Sequence, residues 1–317
     1  MSKNVKLILV AAAALVISAV VIVLSVMKMG VFNETVTVKK EPPAWYHSDS
    51  GTAVRPEGRT LVITILVTDK HTTWEGKDES ADRQHSDLGI AVQWMEEQAE
   101  KWGKSHEMIW DWKENSDLVY RPTFSKDMLT YSIANNSVNN EFRNFIDDGI
   151  PSAQLAEKYD ADNVIYMTCF ETTNAEPFIY CFASDCYFDP MYQYDCCFVM
   201  NNYYGAVTTA AVYAHEMLHL FGSPDLYKNG PSGSELYGVT EEFVDYAREN
   251  LTEDIMFMMI EDWPRSVDEN GITFGMSDLI AYYIGYNSER PSVVDEFGLD
   301  YSQHDPDRAE QMSKKTE

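Results

Sequence analysis

Residues 214–227 read AHEMLHLFGSPDLY, and the two histidines in this string constrain the fold more than any other feature of the chain. His215 and His219 are four apart, so on a helix they leave one face a turn from each other. Neutral imidazoles placed this way can grip one Zn²⁺ at about 2.0–2.1 Å. Glu216 is rotated by about 100° around the helix. There its carboxylate is free to take a proton from water that zinc has acidified, and to pass it to a leaving amine. A catalytic zinc also needs a third protein ligand and an open position. Gly222 stands where a helix ending in the left-handed region would reverse the chain. Pro224 fixes its own φ and drives Ser223 extended. Such a turn carries Asp225 beneath the histidines, giving two neutral nitrogens and one anion.

The short pattern HExxH arises by chance on wet helix faces. The full string HExxHxxGxxD is expected from this composition with odds on the order of one in ten thousand. That favours a metal site over an amphipathic helix that merely ends at a glycine.

The chain has 317 residues, ample for a large buried core, and its 45% hydrophobic and 13% aromatic content is that of a folded body. Its 51 acidic against 24 basic residues give a formal charge of −27, which repels nucleic-acid phosphates and excludes that class of partner.

Between Lys6 and Lys28 runs LILVAAAALVISAVVIVLSVM, residues 7–27, without a charge. At about 1.5 Å per residue it reaches about 30 Å, one hydrocarbon core. Secretory signals carry a shorter apolar stretch, about 7–15 residues. The run predicts one transmembrane helix, with a secreted form if the Ala and Ser residues near its end permit cleavage. Lys3 and Lys6 on one side nearly balance Lys28, Lys39 and Lys40 on the other. The bulk of the chain is expected outside the cell, partly on the evidence of its cysteines. These are Cys169, Cys181, Cys186, Cys196 and Cys197, an odd set lacking any paired CxxC spacing. Two disulfides with one thiol left over, or small apolar side chains buried in strands, both fit.

The predicted organisation is a short tail (1–6), the transmembrane anchor (7–27), a stalk containing Pro42-Pro43 (28–58), a folded domain (59–290) and a polar C-terminal tail (291–317). TLVITILVTD (60–69) and NVIYMTCF (163–170) read as buried strands. Shorter strands are expected at 106–112, 118–122, 177–183 and 196–201. Helical patterns cover 82–103, about 139–159, 207–221, 241–250 and 276–286. The order of elements predicts an α+β plan with a mostly helical C-terminal subdomain.

The string from His215 to Asp225 resembles the elongated zinc signature of the metzincin metallopeptidases. It is most similar to the branch in which aspartate replaces the third histidine, which includes snapalysin-like enzymes, and GSPDLY is similar to the immune-inhibitor-A-like peptidases. The resemblance implies a zincin with a twisted mixed sheet and an active-site helix, one catalytic zinc held by His215, His219 and Asp225, and Glu216 as general base. It also implies a tight turn with a methionine under the metal, which Asp254-Ile255-Met256 fits, although methionine is a common core filler too. An antiparallel edge strand is implied that binds substrate in extended form, here PFIYCFA (177–183), with CCFVMN next.

Some metzincins carry a tyrosine two residues after that methionine; this chain has Met258 there, and Tyr227 is the candidate stand-in as transition-state stabiliser. No cysteine precedes Cys169, so a thiol-switch propeptide is absent from this sequence. The expected activity is a membrane-anchored, extracellular zinc endopeptidase acting on peptides or proteins.

Two alternatives remain at this point. Gluzincins take their third ligand from a second helix, and Glu241, Glu242 and Asp245 offer the matching ExxxD spacing, or else a solvated helix start. A surface binding protein on an inactive zincin scaffold is the non-enzyme reading, against which the intact Glu216 argues. Calcium is compatible with the many aspartates, but no EF-hand loop supports it.

Overall fold

A computed structural model of the chain describes residues 53–126, 128, 136–172, 182–184, 194–203, 206–229, 234–262 and 265–316. Its centre is a pair of parallel strands, β1 (Gly58–Val67) and β4 (Asn163–Phe170), in register from Thr60 opposite Asn163 to Val67 opposite Phe170. Every residue of β4 and nearly all of β1 are buried. Strands this apolar on both faces require a layer of helices on each side.

Helix α1 (Asp78–Lys101) crosses from β1 to β2 (His106–Ile109), which lies parallel to the start of β1. The short β3 (Val119–Tyr120) pairs in parallel with the later part of β1. Helices α2 (Asn136–Gly149) and α3 (Ser152–Tyr159) then lead into β4. Beyond β4 lies β6 (Cys196–Met200), parallel to it, and β5 (Phe182–Ser184) pairs antiparallel on the outer side of β6. The order across the sheet is β2-β1-β4-β6-β5. A small ribbon of β7 (Asn202–Tyr203) and β8 (Ala206–Val207) precedes α4 (Ala210–Leu220), the helix that carries both histidines.

Strand alternation assigns the two faces. Tyr166 and Phe198 point to the α2–α3 side, where Ser152 Oγ lies 2.7 Å from the Tyr166 hydroxyl and Phe142 meets Phe198 with ring centroids 5.5 Å apart. Met167, Cys169 and Cys197 point the other way, to the side on which α4 and Glu216 lie. Helices α4 and α1 are joined there by a hydrogen bond from the Tyr213 hydroxyl to Gln84.

After α4 the chain is mostly helical: α5 (Glu241–Asn250), α6 (Ile255–Glu261), the hairpin of β9 (Val267–Asp268) and β10 (Gly271–Ile272), α7 (Asp278–Tyr283), α8 (Ser292–Phe297) and α9 (Arg308–Thr316). Three of these helices start at side-chain caps: Thr240 accepts from Phe243 N, Asp254 from Met256 N and Ser277 from Ile280 N.

Several expectations are corrected. The α+β plan gives way to a mixed α/β fold with a largely parallel sheet, because helices bridge β1 to β2 and lead into β4, and among the described strands of this sheet only β5 runs against its neighbour. The expected N-terminal transmembrane helix finds no support. Residues 7–27 lie outside the described part, and among the described residues no helix is long and apolar enough to cross a membrane. The stretch from residue 291, expected as a loose polar end, forms α8 and α9 and buries Val294, Leu299 and Ser302. Cys196 and Cys197 are buried thiols on β6, and Cys169 is buried on β4 with its Sγ donating to the Met167 carbonyl. These three are core side chains rather than disulfide halves; Cys181 and Cys186 lie outside the described residues.

Candidate metal centre

Helix α4 ends as its sequence dictates. Gly222 takes φ +95°, in the left-handed region, its N–H donating to the His219 carbonyl at 2.9 Å while Ser223 N donates to Leu218 O at 3.2 Å. The chain turns back through Ser223 and Pro224 and delivers Asp225 to the histidines. Asp225 Oδ1 lies 3.0 Å from His215 Nε2 and 3.3 Å from His219 Nε2, and the two nitrogens are 3.2 Å apart. Among the described residues, His215, His219 and Asp225 form the one group able to hold a metal ion, with ligand atoms within 4.8 Å of one another.

The far side of each ring is committed to a backbone carbonyl. His219 Nδ1 is 2.7 Å from Ser223 O, and His215 Nδ1 is 3.3 Å from Ile255 O. A carbonyl oxygen only accepts, so each Nδ1 carries a proton, and Nε2 is the nitrogen that each ring turns to Asp225, bare whenever that ring is neutral. Without a metal the Asp225 carboxylate favours a proton on the His219 ring; with both rings neutral, as metal ligation requires, three lone-pair atoms converge. Asp225 Oδ1 is buried and without a hydrogen-bond partner. A cation resolves that convergence, and two imidazole nitrogens with one carboxylate oxygen suit zinc. The donor set fits the ion.

The remaining contacts orient the ligands. Asn229 Nδ2 donates to Asp225 Oδ2, turning Oδ1 towards the rings. Asn229 is itself fixed by Ser234, whose N–H it accepts and whose Oγ accepts the Asn229 N–H at 3.1 Å. Tyr227 stacks on His215 with centroids 6.4 Å apart and planes at 18°. The turn at Asp254-Ile255-Met256 braces the centre from below. Ile255 O holds His215, and Met256 O accepts the N–H of Leu226, next to Asp225. Met256 is fully buried there, while Met258, two residues on, packs in the core.

Electrostatics follow from burial and these contacts. Burial disfavours the charged His219 ring, but the Asp225 carboxylate outweighs it and raises the imidazole to about 9 without a metal. Burial pushes the Asp225 carboxyl up, yet His219 and His215 hold it well below the ordinary range. Glu216 lies on the same helix, 5% exposed, with Oε2 unpartnered. Its burial raises the carboxyl above the usual range, only partly offset by His215 and His219. Burial, then Asp225 and Glu216, push the Tyr227 hydroxyl well above its usual value.

The alternative ligands lie elsewhere. Glu241 has a side chain 79% exposed and pairs with Lys228 at 3.2 Å, and Asp245, 78% exposed, pairs with Arg248 at 2.9 Å. Glu242 is exposed on the same first turn of α5, where carboxylates suit the positive helix end. The expected edge strand is partly described: β5 is the outermost of the described strands, antiparallel to β6, and residues 177–181 lie outside the described part. Tyr194, just before β6, and Phe198 on it belong to the core.

The turn Asp254-Ile255-Met256 was expected under the metal, but the part of the Ile255 carbonyl as partner of His215 was not, nor were Asn229 and the Ser223 carbonyl. No protein-family profile matches this chain, and no curated protein matches it.

Proposed function

We propose that the chain is a zinc-dependent endopeptidase of metzincin type, with His215, His219 and Asp225 as the metal ligands and Glu216 as the general base. The observation that carries this reading is the convergence of two imidazole Nε2 atoms on a buried carboxylate oxygen, beside a second carboxylate whose buried Oε2 has no hydrogen-bond partner among the described residues. Zinc, when bound, supplies a Lewis acid that acidifies water and polarises a carbonyl. Glu216 Oε2 takes the proton of the attacking water and delivers it to the leaving amine nitrogen; a carboxyl held above its ordinary range suits that exchange near neutral pH. The carbonyls of Ser223 and Ile255 keep both rings in one tautomer and orientation. Tyr227, stacked on His215 and near enough to Asp225 and Glu216 for their charges to act on its hydroxyl, is the candidate to meet a developing oxyanion. β5, the outermost strand among the described residues, is the edge on which an extended peptide would add by β-augmentation.

The test compares wild type with Glu216→Gln on a mixed peptide library, with bound zinc measured in both. The expected result is equal zinc and a loss of about 10²–10⁴-fold in cleavage. Equal cleavage by the two proteins rejects the enzyme; zinc without cleavage in either points to a binding protein on this scaffold.

A further inference from the structure

The loop carrying Asp225 leaves α4 at Phe221 and runs to a short 3-10 turn at Ser234–Tyr237. Both of its ends rest on one remote stretch of chain, residues 298–303. At the first end, Gln303 Nε2 donates to the Phe221 carbonyl at 3.0 Å, satisfying an acceptor that the helix end leaves orphaned. The same amide fills the space beside Gly222, where a Cβ would stand 2.7 Å from Nε2. At the second end, Asp300 N donates to the Tyr237 carbonyl at 2.8 Å. Gly238, at φ +84°, lets the backbone come so close that a Cβ there would meet Gly298 O at 2.8 Å.

The stretch is anchored from behind as well. Ser302 is fully buried, its Oγ donating to Tyr283 O at 2.9 Å and its N–H to the Tyr282 hydroxyl at 3.0 Å. From α9, Gln311 accepts the Tyr301 N–H at 2.8 Å and donates to Leu299 O at 3.0 Å. A rigid segment therefore holds both ends of the loop that supplies the third ligand.

We infer that residues 298–303 are a strap that positions Asp225, with Gln303 a positioning residue for the metal, so that metal retention is controlled from the C-terminal part of the fold. The inference rests on reading His215, His219 and Asp225 as the metal site. Releasing the strap leaves His215 on its Ile255 partner but lets the loop, with Ser223 and Asp225 on it, visit positions in which Asp225 does not ligate. The apparent affinity then falls in proportion to the fraction of time the loop is competent.

The experiment loads full-length wild type, Gln303→Ala and Gln311→Ala with zinc and measures release to a chromophoric chelator. The absorption spectrum of each protein loaded with Co²⁺ instead is recorded alongside. Expected are a loss of zinc affinity of about ten-fold or more in both variants and an altered Co²⁺ spectrum, which a loss of stability alone does not produce. Gln311 touches the strap and not the loop, so it carries the comparison should Gln303→Ala fail to fold. Wild-type affinity and spectrum in the variants overturn the strap while leaving the metal site standing. A wild-type chain that binds no zinc overturns the metal reading and the strap with it.

Discussion

His219 donates its Nδ1–H to the Ser223 carbonyl at 2.7 Å, so the turn that delivers Asp225 also orients the ring that faces it. Ligand and ligand-holder are therefore not separable. Distorting residues 222–225 disturbs two of the three ligands at once, while His215 answers to the Ile255 carbonyl on a different element.

Asn229→Ala removes the donor that turns Asp225 Oδ1 to the histidines. Zinc affinity is expected to fall by about ten-fold or more, the usual effect of losing an outer-shell partner. Asp225→Ala is expected to abolish stoichiometric zinc. Competition against a chelator of known affinity checks both, and a larger loss in Asn229→Ala than in Asp225→Ala would falsify the assignment of the ligand.

Gly222→Ala places a Cβ at φ +95° and 2.7 Å from the Gln303 amide. The left-handed backbone costs of order 1–3 kcal/mol for a non-glycine residue, and the contact adds to it. Urea unfolding of the metal-free protein is expected to show that loss, accompanied by weaker zinc binding.

Acid is expected to destabilise the fold through His106, a residue remote in role from the metal. Its ring is 7% exposed, with Nε2 2.8 Å from Thr60 Oγ1 and Nδ1 unpartnered, and burial lowers it to about 4. In the unfolded chain the ring takes its proton near pH 6.5. Acid thus favours the unfolded state: the contribution is full above about pH 6.5 and is lost as pH falls towards 4. For this ring it amounts to about 3 kcal/mol as an order of magnitude. Urea unfolding between pH 4 and 7 measures it, and His106→Gln should flatten that slope.

Metal removal is expected to lower the melting temperature. With free zinc at about a thousand times its Kd, binding stabilises by about 4 kcal/mol, roughly 10 °C for a domain of this size. Chelator should produce that drop in wild type and leave Asp225→Ala unchanged in a differential scanning experiment.

Much of the framework was legible wherever a local rule sufficed. NVIYMTCF became β4 and EEFVDYAREN became α5 with the expected bounds, because apolar runs and a capping threonine act over a few residues. Gly222, Pro224 and Asp225 were legible for the same reason, each acting on the backbone within one turn. The parallel pairing of β1 with β4 was not, because strand direction is set by the helices that cover the faces rather than by either strand. The role of the last thirty residues was also hidden. Their charges read as a tail, while the burial of Val294, Leu299 and Ser302 depends on surfaces offered by distant elements. Asn229 and Gln303 carry no pattern at all; they matter only for where the fold leaves a carboxylate oxygen and a helix-end carbonyl in need of a donor.

The contact between Gln303 and Phe221 spans 82 positions of sequence. Loop closure over that distance has an entropic cost that a local turn does not. A peptide excised around residues 214–227 would therefore keep all the ligands and chelate loosely, with its aspartate sampling many geometries. The preorganised site exists only where the elements between α4 and residue 303 have docked and brought the strap to Phe221. Chemistry that looks local on paper is, in this molecule, a property of tertiary structure.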